Sequence, residues 1–152
     1  MTRLAFAQKA VVVDSDHVLL VKKSSQDPHN PGRWDLPGGR MKDSEEVDAH
    51  LVREVLEETG LKVSPFGRPI HLWSWEMTWH GEPVRVLAVS RYCRLEKSAA
   101  VDQHREYDDF LCEQRWVPRS ELLSLDIIPS QLATIECVVR EDTSWRPSAS
   151  LF

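Results

Sequence analysis

Apolar and polar positions fall in distinct blocks along this 152-residue chain. Residues 4–13 (LAFAQKAVVV) and 17–22 (HVLLVK) are apolar and rich in β-branched side chains. Asp14-Ser15-Asp16 parts them, so the pattern predicts two strands joined as a hairpin. Residues 24–33 (SSQDPHNPGR) are dense in turn formers and predict a loop. Trp34-Asp35-Leu36 is a brief extended stretch, and Pro37-Gly38-Gly39 breaks the chain after it. From Ser44 to Thr59 the apolar positions recur with the period of a helix. Asp43 is placed to cap it, Glu46 to answer as the capping-box partner, and Gly60 to end it.

The second half predicts a further hairpin, residues 69–79 and 83–95 flanking His80-Gly81-Glu82. Residues 98–109 read as a polar surface loop and 113–117 as a short strand. Pro118-Arg119-Ser120 opens a short helix, and 130–140 reads as a final one. The tail from Glu141, with Pro147 and three serines, reads as frayed, which leaves residues 1–140 as a single domain. No internal repeat or linker interrupts it. Interleaved strands and helices predict an α/β class: a mixed sheet packed between helices.

Composition narrows the picture. With 41% hydrophobic and 28% charged residues the chain is an ordinary globular sequence. No apolar run approaches the roughly 20 residues of a membrane helix, and the N-terminus lacks the pattern of a secretory leader. The scattered Cys93, Cys112 and Cys137 argue against a disulfide framework or a zinc site and suit a reducing cytoplasm. A formal net charge of −5 argues against an extended nucleic-acid surface. An acidic protein acting on a polyanion needs a positive group in its site, and a metal ion would supply one.

The candidate chemistry lies on the predicted helix. At 100° per residue, Val47, Ala49, Leu51, Val52, Val55 and Leu56 form one broad side, the face expected to pack on the sheet. Glu46, His50, Glu54, Glu57 and Glu58 cluster on the other. Glu54, Glu57 and Glu58 stand at i, i+3 and i+4, where like charges cost about 0.2–0.5 kcal/mol each. Glu57 and Glu58 also occupy the last turn, where the helix dipole disfavours anions. Such a cluster suits a hard cation such as Mg²⁺ or Mn²⁺. The bland alternative is a solvated acidic face. Gly38-Gly39, just before the helix, would let backbone approach a ligand closely, although a glycine pair alone is usually a turn.

Taken together, Gly39, Glu45 and the run Arg53-Glu54-Val55-Leu56-Glu57-Glu58-Thr59-Gly60-Leu61 fit G-x5-E-x7-R-E-U-x-E-E-x-G-U, with U aliphatic. This resembles the Nudix box at every defining position. Trp34-Asp35-Leu36-Pro37-Gly38, Arg115-Trp116-Val117 and Glu121-Leu122 add to the likeness. The resemblance implies an α/β/α sandwich in which Glu54, Glu57 and Glu58 hold the divalent metal and Arg53 orients them. It implies that Glu45 supports the loop and that Gly39 and Gly60 shape it. The reaction it implies is hydrolysis of a diphosphate bond in a small nucleotide-like substrate, with a glutamate as general base: Glu57 in the box, or Glu106 or Glu113 beyond it.

The box serves the diphosphate and leaves the attached group open: a (d)NTP, ADP-ribose, another nucleotide sugar or a dinucleotide. Trp73, Trp75 and Trp79 share one strand parity and either stack a base or pack the core. His50 and His104 read as surface histidines, and Cys93 as a small buried residue. A homodimer is compatible with the sequence. A non-catalytic nucleotide-sensing domain is the alternative reading, but such domains usually carry a degraded box. An isoprenoid diphosphate isomerase would need cysteine and glutamate motifs that this chain lacks.

Overall fold

A computed structural model describes residues 2–96 and 110–141. The predicted surface loop, with His104 and Glu106 in it, and the tail beyond Glu141 lie outside the described residues.

Strands β1 (Arg3–Asp14) and β2 (His17–Lys23) form the expected hairpin, with Asp14 opposite His17. After the loop come β3 (Trp34–Asp35) and β4 (Gly38–Arg40). The glycine pair therefore does not simply break the chain: β4 pairs antiparallel with β1, Gly38 opposite Lys9 and Gly39 opposite Gln8. Helix α1 spans Val47–Thr59, and Gly60 ends it at φ 73° with its N–H bonded to Leu56 O. Strands β5 (Val63–Trp79) and β6 (Glu82–Leu95) make the second hairpin. Its turn residues His80 and Gly81 both have positive φ (50° and 78°), matching the twist of the flanking strands. Strand β7 (Leu111–Pro118), a 3-10 helix (Arg119–Ser124), a second short one (Pro129–Gln131) and α2 (Leu132–Arg140) complete the described fold.

The sheet is mixed. Strand β1 runs parallel to β6 from Arg3 opposite Val84 to Val13 opposite Arg94, and its other pairings are antiparallel. Strand β5 lies outside β6, while β2 carries β3 and β7. Alternation along β1 separates two cores. Val11 and Val13 pack with Tyr92, Ile135 and Val138 on the α2 face. Ala10 and Val12 pack with Leu51, Val55 and Cys93 on the α1 face. Helices on both faces make the α/β/α sandwich that the residue pattern and the box implied. Cys93 is fully buried, as expected.

Two expectations about α1 are overturned. The Asp43–Glu46 capping box does not form: Glu46 is the N-cap residue and makes no side-chain cap bond. Glu45 closes the preceding turn instead, accepting a bond from Lys42 N at 2.7 Å. The buried side of the helix is also not purely apolar. Val47 is 46% exposed, whereas His50, Glu54 and Glu58 are buried beside Leu51, Val55 and Thr59. Two adjacent i, i+4, i+8 rows face inward, Leu51-Val55-Thr59, largely apolar, and His50-Glu54-Glu58, polar. The polar row lies against β4 and the middle of β1, whose Gln8 and Lys9 interrupt an otherwise apolar strand.

Candidate active site

His50 locks the start of the site. It is buried, not the surface residue its polar face suggested. Its Nε2 donates to Gly39 O at 3.0 Å, so its Nδ1 accepts from Gln8 Nε2 at 2.8 Å. Gln8 Nε2 also donates to Val47 O at 2.7 Å. These bonds tie α1 to β1 and β4 through a neutral imidazole, and burial holds its pKa below the ordinary histidine value.

The glycine pair follows from what surrounds it. Gly38 sits at φ 143°, and a Cβ there would lie 2.1 Å from Gln8 O. At Gly39 a Cβ would meet the Glu54 carboxylate at 2.9 Å. The pair thus lets β4 lie close to β1 and lets Glu54 close over the backbone. Glu58 Oε2 accepts from Gly38 N at 3.1 Å. The carboxyl of Glu58 is pushed up to about 8, first by burial and then by the nearby charges of Asp35 and Glu54, against the pull of Lys9 and the Gly38 N–H.

Arg53 binds the remaining carboxylates. Its Nε and Nη2 make a two-pronged contact with Glu45, both at 2.8 Å. Its Nη1 donates to Glu57 at 3.0 Å, and its Nη2 lies 3.2 Å from Glu54. Hydrogen bonding to Arg53 is the main reason that the Glu45 carboxyl falls to about 2. The same pairing raises the pKa of Arg53. From the opposite side Lys9 Nζ donates to Asp35 at 3.0 Å, to Leu36 O at 3.1 Å and to Gly38 O at 3.4 Å. Burial opposes its charge, but Asp35, Glu58 and Glu54 outweigh burial and raise its pKa.

Among the described residues no group of three His, Cys, Asp or Glu side chains converges as a ready-made metal cage. The donor set nevertheless fits a hard divalent ion. Glu45, Glu54, Glu57, Glu58 and Asp35 are all carboxylates, and Lys9 and Arg53 are among the cations paired with them. Clustered carboxylate oxygens, with those of Asp35, Glu54 and Glu58 buried, are what Mg²⁺ or Mn²⁺ prefers.

The other sequence candidates are spread more widely. Glu113, on β7 opposite Lys22 of β2, pairs with Arg115 at 2.6 Å. Trp73, Trp75 and Trp79 lie on the α2 face of β5, opposite Ala88, Val86 and Glu82 of β6. Trp73 is partly buried against Ala7, Val84, Val86 and Ala88. Trp75 and Trp79 are 38% and 40% exposed. The Arg40 guanidinium, next to Gly39, stacks on Trp79 at 3.8 Å and so bridges the glycine pair to this aromatic face. Lys9, Asp35 and Gln8 are site residues that the sequence pattern did not single out, and His50, read there as a surface histidine, is buried among them. The Gln8-Lys9 pair inside an apolar strand was the available signal.

This fold and this carboxylate-bearing helix define a family. The NUDIX domain profile matches residues 4–141, and the chain belongs to the Nudix family. It is 37% identical over 94 residues to "Diphosphoinositol polyphosphate phosphohydrolase 3-alpha" of Mus musculus, covering 60% of this chain and 54% of that protein. The chain thus spans about half the length of the first curated relatives it matches. A Mycobacterium tuberculosis protein whose name provisionally calls it an 8-oxo-dGTP diphosphatase is 30% identical over 122 residues, covering 80% of this chain and 79% of its own. The solved structure of a MutT protein from Methanosarcina mazei Go1 superposes with a TM-score of 0.66 at 23% identity, over 91% of this chain and 95% of that one. At that identity the likeness concerns the fold. No helix among the described residues is long and apolar enough to cross a membrane.

Proposed function

We propose that this chain hydrolyses a phosphoanhydride bond in a nucleoside diphosphate linked to another moiety, using Mg²⁺ or Mn²⁺ held by Glu54, Glu57 and Glu58. The observation that carries this reading is the pair of buried carboxylates, Glu54 and Glu58, folded against Gly39 and Gly38 beside Arg53. Burying acidic side chains is costly unless something charged answers them. When bound, the metal would neutralise the diphosphate and make water more acidic.

The chain's own groups divide the remaining work. Arg53 holds Glu45, Glu54 and Glu57 in fixed relation, so the carboxylates are oriented before substrate arrives. Glu57 is the most exposed of the three metal candidates, with a 35% accessible side chain, and is the general base that takes the proton from the attacking water. Gly39 keeps the space before Glu54 clear of a side chain. The exposed Trp75 and Trp79, with Trp73 behind them, offer the substrate's base a stacking surface. The free thiols Cys93, Cys112 and Cys137 support a cytoplasmic setting. The testing experiment is a hydrolysis panel over (d)NTPs, ADP-ribose, other nucleotide sugars and dinucleotides, with and without Mg²⁺, reading phosphate and pyrophosphate separately. Absence of metal-dependent turnover on every member contradicts the proposal.

A further inference from the structure

We infer that Gln8 and His50 are positioning residues for Glu54: Gln8, oriented by Arg91, fixes the His50 tautomer, and His50 anchors the Gly39 backbone against which the Glu54 carboxylate rests. This rests on the proposed metal-dependent hydrolysis and adds to it the residues that set how tightly the ion is held.

A continuous polar chain runs through the interior on the α1 face of the sheet. Arg91 of β6 stands opposite Ala10 of β1, the residue two beyond Gln8 and on the same face. Its Nη1 donates to Asp48, in the first turn of α1, at 2.6 Å and to Gln8 Oε1 at 3.3 Å. Gln8 and His50 themselves are fully buried.

The chemistry of the partners leaves this chain one arrangement. A guanidinium has only protons to give, and a backbone carbonyl has only lone pairs. Arg91 therefore takes the amide oxygen of Gln8, and Val47 O takes its nitrogen, 2.7 Å away. Flipping the amide would set donor against donor at one end and acceptor against acceptor at the other. The second amide proton faces His50 Nδ1 at 2.8 Å, so that ring nitrogen is bare. A neutral imidazole then carries its proton on Nε2, and this proton goes to Gly39 O at 3.0 Å.

Glu54 lies at the end of the chain. His50 Nε2 is 4.0 Å from Glu54 Oε1, one turn along α1. Gly39 is packed so closely on that carboxylate that a Cβ would stand 2.9 Å from it, and Arg53 holds it at 3.2 Å. Stability alone does not call for such a chain, since apolar side chains of the same shape in place of both partners of a buried hydrogen bond are nearly neutral. A buried polar chain with its links satisfied instead specifies one geometry. Metal ligands depend on geometry, and the groups that orient them change metal affinity about 10–100-fold.

The test measures Mn²⁺ binding without substrate, by paramagnetic resonance of the free ion, beside the melting temperature in chelator. His50→Leu and Gln8→Met keep side-chain bulk and break the chain, whereas His50→Gln keeps an N–H able to reach Gly39 O. His50→Leu should weaken Mn²⁺ binding about 10–100-fold. Gln8→Met should weaken it about 3–10-fold, as one lost hydrogen bond does. His50→Gln should bind Mn²⁺ nearly as wild type does. Nitrogen-15 spectra of the metal-free wild type should show the His50 proton on Nε2. Wild-type Mn²⁺ affinity in both His50→Leu and Gln8→Met, whatever their melting temperatures, overturns the inference, because the pair then serves the fold alone. Equal losses in His50→Gln and His50→Leu overturn it too, as does a wild-type ring protonated on Nδ1. If His50→Leu does not fold, a loss in Gln8→Met without one in His50→Gln upholds the inference, and any other pattern overturns it. A wild type that binds Mn²⁺ and shows these losses but hydrolyses no nucleotide of the panel refutes the proposed function alone. A metal-dependent hydrolase whose variants keep wild-type Mn²⁺ affinity refutes this inference alone.

Discussion

Alanine at Gly38 should strongly destabilise the fold, whereas alanine at Gly39 should spare the fold and disable the site. At Gly38 the new Cβ would stand 2.1 Å from Gln8 O and 2.9 Å from Lys9 Cα, both backbone atoms, at a φ of 143° that L-residues rarely adopt. Relief requires β4 and β1 to part by about an ångström, since carbon and oxygen need a normal van der Waals separation. Backbone strain of about 1–3 kcal/mol and overpacking of about 1–3 kcal/mol add to bonds at risk, the Gly38 N–H to Glu58 and Lys9 to Gly38 O. The sum is on the order of 3–6 kcal/mol, a large share of a typical stability of about 5–15 kcal/mol. For a chain of this size that corresponds to a fall of about 10 °C or more in Tm. At Gly39 the Cβ would meet Glu54 Oε2 at 2.9 Å, the end of a flexible side chain that can swing aside. Its stability cost should stay below about 1 kcal/mol, while Glu54 leaves its place beside Arg53. Thermal unfolding by circular dichroism in chelator, followed by hydrolysis assays on the folded variants, separates the two effects. Wild-type melting of Gly38→Ala would refute the packing argument, and full activity of Gly39→Ala would refute the role given to Glu54.

Three further outcomes follow from the same geometry. The Glu45 carboxyl, held near 2, stabilises the fold above its unfolded value of about 4.5, a contribution lost as pH falls through about 2. The stability gap between wild type and Glu45→Gln should therefore close on acidification, and a pH-independent gap in melting temperature would contradict this. Glu58, pushed up to about 8, favours the metal-free fold in full below about 4.5, and that contribution is lost as pH rises through about 8. Binding of Mg²⁺ at pH 7 should accordingly release a proton and tighten between pH 6 and 8, which calorimetry in buffers of different ionisation enthalpy reads directly; binding without proton release contradicts it. Trp75→Ala or Trp79→Ala should raise KM about 5–100-fold with kcat nearly unchanged, as expected from a stacking loss of about 1–3 kcal/mol, and wild-type KM in both would remove the stacking surface.

Much of this was legible in the residue pattern because it depends on short-range physics. The β1–β2 and β5–β6 hairpins follow from apolar runs broken by turn residues, and the end of α1 follows from Gly60. The box spacing alone singled out Arg53, Glu54, Glu57 and Glu58. What escaped was the direction in which α1 faces. A helical wheel assigns hydrophobic residues inward, but here His50, Glu54 and Glu58 are buried because β4 and the Gln8–Lys9 step of β1 offer polar partners. That pairing joins residues about 40 positions apart, and local periodicity carries no trace of it. The capping box failed for a related reason: Glu45 is held by Arg53 and Lys42 N, so the turn before the helix serves the site.

The most direct measurement of the central claim is steady-state hydrolysis by Glu57→Gln on the best substrate of the panel, in Mg²⁺, beside a thermal melt in chelator. Glu57 is half of an i, i+4 pair with Arg53 and partly exposed, so its loss should move stability by no more than about 0.5 kcal/mol. The account predicts a folded protein whose kcat falls at least ~10²-fold, the loss expected of a catalytic group. A folded Glu57→Gln protein with wild-type turnover would contradict it.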